Sequence, residues 1–132
     1  MANANIKVIL RSNIDKVWEV VTDNRNCAWR SDINSIDILE NGNGFVEYTE
    51  NGFATTFMIT KKEAMKQYEF DISNKNMHGH WTGVFKELSE GTEIDFTEEV
   101  SANHPMMNLF VGAYLKKQQK QYVKDLKKAL CE

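Results

Sequence analysis

The sequence predicts an α+β domain in which a curled antiparallel sheet of about seven strands wraps around one long C-terminal helix. Three observations carry this. Residues 34–100 alternate apolar and polar side chains with a period of two, interrupted by turn dipeptides such as Asn41-Gly42, Asn51-Gly52 and Glu90-Gly91. Residues 105–130 switch to a helical period. A short strand and helical stretches precede both, so the expected order is β-α-α-β6-α. At 132 residues, one domain spanning 1–132 is expected.

Asn5–Leu10 reads as the first strand, with Ile6, Val8 and Leu10 on one face. Ser12 or Asn13 is a good N-cap for a helix whose Ile14, Val17, Trp18 and Val21 recur at three- to four-residue spacing. Asp23–Trp29 is expected to be a second short helix or a turn. Ile36 and Ile38 then alternate with charges up to Asn41-Gly42-Asn43-Gly44. Phe45–Glu50 follows, and after Asn51-Gly52 come Phe53, Thr55, Phe57 and Ile59 on one face. Tyr68, Phe70 and Ile72 line the next strand. Gly79, Trp81, Gly83 and Phe85 mark the sixth. Ile94, Phe96, Glu98 and Val100 share a face of the seventh. Pro105 suits the first position of the closing helix, which can run to about Leu130. On that helix Val111, Leu115, Tyr122, Leu126, Ala129 and Leu130 form an apolar stripe. The six lysines 116, 117, 120, 124, 127 and 128 lie on the opposite arc.

The net charge of −3 is unevenly placed: residues 1–115 sum to −7 and residues 116–132 to +4. An acidic body lacks the basic footprint that phosphate backbones need, so nucleic acid is not an expected partner. The lysines read as the solvated face of an amphipathic helix, with a protein-interaction or anionic-membrane surface as the alternative. Cys27 and Cys131 are far apart and form no metal or redox motif. No stretch reaches the roughly 18 apolar residues of a membrane span. A soluble, cytoplasmic protein is expected, without integral membrane association, as a monomer or homodimer.

Four segments resemble one superfamily in the right order. They are Trp29-Arg30-Ser31-Asp32 with Ile36-Asp37-Ile38-Leu39, Gly79-His80-Trp81-Thr82-Gly83-Val84-Phe85, Gly91-Thr92-Glu93-Ile94-Asp95-Phe96-Thr97-Glu98-Glu99, and Tyr122-Val123-Lys124-Asp125-Leu126. The chain resembles the polyketide cyclase/dehydrase-like branch of the SRPBCC (START and birch-pollen-allergen-like) superfamily. The resemblance implies a helix-grip fold with a cavity between sheet and helix, which in that superfamily holds lipids, polyketides or other apolar small molecules. It implies no universal catalytic residue and no cofactor. Related sequences often carry prolines before the fifth strand; Glu63-Ala64-Met65-Lys66 stands there instead.

The expected ligand-binding residues are Phe57, Tyr68, Phe70, Trp81, Phe85 and Phe96 on the sheet, and Phe110, Tyr114, Gln118 and Tyr122 on the helix. Glu98 joins them as a carboxylate that follows Ile94 and Phe96 on an apolar strand face. The competing reading of the aromatics is a filled core. Gly79 and Gly83 remove side chains beside Trp81, which suggests space there. If Glu98 points inward without a partner, burial raises its pKa and makes it a candidate general acid or base. The alternative is that it pairs with Arg30 or is solvated. Trp29, Arg30 and Asp32 are expected to be structural. His78 and His80 share a solvent-facing strand face with no obvious third ligand, so no metal site is expected. The leading functional expectation is a binding or carrier protein for an apolar or amphipathic small molecule. The alternatives are a cyclase/dehydratase-like enzyme and a protein-interaction module.

Overall fold

The computed structural model describes residues 1–132. Strand β1 (Ala2–Leu10) is followed by helix α1 (Ile14–Thr22). Six strands come next: β2 (Ser35–Ile38), β3 (Gly44–Tyr48), β4 (Ala54–Glu63), β5 (Gln67–Ser73), β6 (Met77–Leu88) and β7 (Gly91–Ala102). A single 3-10 turn (Pro105–Met107) leads into the closing helix α2 (Asn108–Ala129).

The strands make one seven-stranded antiparallel sheet in the order β1-β7-β6-β5-β4-β3-β2. From β2 to β7 the order is a simple meander. β1 joins the far side of β7 with an unbroken register from Ala2↔Val100 to Leu10↔Thr92. The sheet is open, since β1 and β2 do not pair. The inner face carries the core: Leu10, Phe45, Tyr68, Phe70, Ile72, Trp81, Phe85, Ile94 and Phe96 are all buried. α1 adds Ile14, Val17 and Val21, and its first turn is capped by Asn13, whose Oδ1 accepts from Lys16 N–H at 3.0 Å.

Two expectations are corrected here. Residues 23–34 contain no second helix and form successive turns. Their side chains compete with a helical ladder: Asp23 Oδ1 accepts from Arg25 N–H at 3.1 Å and Asn26 Oδ1 from Ala28 N–H at 3.2 Å. The chain is therefore β-α-β6-α. Nor does the closing helix start at Pro105. Pro105 opens the 3-10 turn, and α2 begins three residues later.

α2 rests on β1 and β7, not on the middle of the sheet. It is fastened by polar contacts as well as apolar ones. Buried Gln119 donates from Nε2 to the Ala4 and Phe96 carbonyls at 3.1 and 3.3 Å. Asp125 accepts from Ser31 N–H at 2.9 Å and Ser31 Oγ–H at 2.7 Å, and from Gln121 at 2.8 Å. These bonds hold its carboxyl below the usual range against the opposing effect of burial. Of the six lysines, Lys127 is half-buried and the other five are exposed. No helix is long and apolar enough to cross a membrane.

Candidate functional site

α2 leans to the β1–β7 side and leaves a gap between itself and the concave face of β3–β7. A cavity of about 180 Å³ occupies that space. Its sheet wall is a continuous run of aromatic rings. Phe45 stacks on Phe57 at 4.9 Å, Phe57 meets Phe70 edge-on at 5.1 Å, and Phe70 stacks on Trp81 at 4.7 Å. Trp81 then meets Phe96 at 4.8 Å, and Phe96 meets Tyr122 of α2 at 5.9 Å. Alternation in each strand puts these rings on one face, and antiparallel register aligns them across strands.

Thr49, Thr55 and Tyr68 add polar atoms to the lining, and the rest of its polar groups come from the turn segment, two strands and α2. The turn segment contributes Asn24, Arg30 and Asp32; β3 and β7 contribute Glu47 and Glu98; α2 contributes Tyr114, Gln118, Gln119 and Tyr122. Arg30 uses four of its five N–H donors. Its Nε and Nη2 each donate to Asp32 at 2.9 Å, its Nη1 and Nη2 reach Glu47 at 3.3 and 3.4 Å, and its plane lies 4.9 Å over the Tyr122 ring. Burial acts to lower the Arg30 pKa, and the two carboxylates more than reverse it. Burial raises Glu47, with Arg30 opposing.

Glu98 is different. It lines the cavity beside this cluster and makes no hydrogen bond or ion pair to any protein group, whereas Arg30 bonds to Asp32 and Glu47 instead. Burial, then repulsion from Glu47, pushes its carboxyl up to about 7, with Arg30 only partly offsetting them. Burial also raises the Tyr114 and Tyr122 hydroxyls. Tyr114 accepts from Gln118 Nε2 at 3.0 Å, and Tyr68 accepts from Asn24 Nδ2 at 3.1 Å.

Of the residues expected at the site, Phe57, Tyr68, Phe70, Trp81, Phe96, Glu98, Tyr114, Gln118 and Tyr122 all line this cavity. Phe85 does not: it is buried behind it, edge-on to Trp18 at 4.9 Å. Phe110 is corrected more sharply. It is 68% exposed in the first turn of α2, beside exposed Met107 and Leu109, and the cavity lining on this helix begins one turn later, at Tyr114. The space expected over Gly83 is also filled, since a Cβ there would meet the six-membered ring of Trp81. The Glu63–Lys66 turn takes no part in the lining. Arg30 and Asp32 pair with each other, and Trp29 packs edge-on against Tyr122 at 5.3 Å.

Glu47, Asn24 and Phe45 were not anticipated at the site. Glu47 left a signal: it shares the strand face of Phe45, so it is a charge at an inward position. On the outer sheet face, His80 sits between Asp71 and Glu69, 2.7 Å from each. No group of three or more His, Cys, Asp or Glu side chains is arranged to hold a metal.

Fold and site together define a helix-grip domain: a curled sheet closed by a C-terminal helix, with an aromatic-walled space between them. The chain belongs to the family described as polyketide cyclase / dehydrase and lipid transport, whose profile matches residues 1–130. No curated protein matches it. Among solved structures it is similar to a START superfamily protein from Mycobacterium smegmatis, with 13% identity and a TM-score of 0.83 over 98% of this chain and 97% of that one. A conserved protein from Geobacillus kaustophilus gives 12% identity and a TM-score of 0.83 over 98% and 95%. The di-domain ARO/CYC BexL of the BE-7585A biosynthetic pathway gives 14% and 0.79, with 96% of this chain matching 45% of that one. At such identities the likeness is one of fold.

Proposed function

We propose that the protein binds and carries an apolar or amphipathic small molecule in the cavity between the sheet and α2. The observation that supports this best is the uninterrupted aromatic wall from Phe45 to Tyr122 facing open space. Such rings release about 25 cal/mol for each Å² of apolar surface they cover. Glu98, Tyr114, Gln118 and Tyr122 orient the ligand's polar end. The test is titration with the neutral solvatochromic dye prodan, together with native mass spectrometry of freshly purified protein. One-to-one saturable binding is expected, and Thr55→Trp, which fills the cavity from β4, should abolish it. A flat titration and a bare protein mass would overturn the reading.

A second reading is favoured by Glu98 alone. A carboxyl titrating at about 7 without a protein partner suits general acid–base chemistry of a cyclase or dehydratase type. Turnover of model polyketide substrates should then vanish in Glu98→Gln, and unchanged turnover would dismiss it.

A further inference from the structure

The cavity is walled by aromatic rings, yet its charges are not those of a site for acids. Its charged lining residues are Arg30, Asp32, Glu47 and Glu98, which sum to −2 when all are ionised. Protonating Glu47 still leaves no surplus positive charge. The one cation is already spent. Four of the five N–H bonds of Arg30 go to Asp32 and Glu47, and one guanidinium face is against Tyr122. An anionic head group entering here would find no free cation and would face carboxylates. Glu98 stands the other way round, as a carboxylate without any protein donor, opening onto the cavity. Around the same space Tyr68, Phe70, Trp81, Phe96 and Tyr122 supply aromatic surface for the apolar part of a ligand.

We propose that the ligand of this cavity is an amphipathic amine, its apolar part on the aromatic wall and its ammonium group held by the Glu98 carboxylate. This rests on the binding reading above and narrows it: basic amphiphiles are selected, fatty acids and other carboxylates rejected. Binding is also coupled to a proton. The groups facing Glu98 are Glu47 from β3, Arg30 and Asp32 from the turn segment, Tyr68 from β5, and Tyr114 and Tyr122 from α2. None supplies an unpaired positive charge. An alkylamine keeps its proton at neutral pH, its pKa lying near about 10. It therefore stabilises the ionised form of Glu98, and the complex loses part of a proton as it forms.

The test uses three probes of one shape: phenylbutylamine, phenylbutanol and phenylbutyrate. Binding is measured by calorimetry at pH 7 in two buffers of different ionisation heat. The amine should bind about tenfold tighter than the alcohol, as a charge-assisted contact warrants, and should release about half a proton. The acid should bind weakest. In Glu98→Gln the amine's advantage and its proton release should disappear, while the alcohol still binds. If the alcohol binds and the amine does not exceed it, or if its advantage survives in Glu98→Gln, the amine proposal falls and the cavity reading stands. If no probe binds, both fall.

Discussion

Glu98 shows how one side chain trades stability for availability. In the unfolded chain its carboxyl titrates near 4.5; in the fold it titrates at about 7. A folded pKa above the unfolded value means that the native state holds more protons between those limits, so stability falls as pH rises from about 4.5 to 7. The loss is on the order of 3 kcal/mol above that range. Glu98→Gln should therefore leave stability near pH 4 almost unchanged and raise it by about 2–3 kcal/mol at pH 8, read from urea unfolding. Equal effects at both pH values would show that Glu98 is solvated. The position of Glu98 was legible because β7 has no bulge, so alternation from Ile94 through Phe96 carries straight to it. The partner of Arg30 was not legible. Glu47 lies seventeen residues away on β3, and the pairing of β2 with β3, from Ser35↔Tyr48 onward, brings it near.

At the scale of elements, the strands were readable because half-buried strands write their geometry as alternation and their ends as turn residues. Gly42 and Gly52 both adopt the positive φ that their Asn-Gly turns require. The turn segment 23–34 was harder, since Asp23 and Asn26 bond locally to backbone N–H groups in ways that helical spacing does not reveal. β6 carries a tight packing constraint at the cavity wall. Its Trp81 lies flat against Phe70, with an interplanar angle of 3°, and covers Gly83 two residues on. Gly83→Ala should push the indole off Phe70 and cost about 1–3 kcal/mol by thermal unfolding, as overpacked cores do. It should also weaken prodan binding, because Trp81 is part of the cavity wall. An Ala variant as stable as the parent, with unchanged binding, would mean that the indole is loosely held.

Across the whole molecule, the existence of a cavity depends on where α2 sits, and that was only half written in the chain. The apolar stripe of α2 shows that it covers a sheet. It does not show that Gln119 fixes it over the Ala4 and Phe96 carbonyls, off centre. Asp125 adds the second tie, binding α2 to the turn that presents Arg30. Asp125→Asn should cost about 1–2 kcal/mol, since it weakens charge-assisted hydrogen bonds to Ser31. It should lower probe affinity as well, because Arg30 and Asp32 lose their anchor. Unaltered affinity in a destabilised variant would separate the turn from the site.

The union of β1 with β7 also governs time. The strand translated first waits for the strand translated seventh, as Ile6 meets Phe96 only after the whole meander has been made. Pairings between such distant stretches must close large loops before they return any energy, and sheets dominated by them fold in about milliseconds to seconds. While the ribosome is still extending the chain, Ala4, Ile6, Val8 and Leu10 have no β7 to pair with. β1 is therefore unmated until β7 has been made, and that strand is where misassembly has its opportunity.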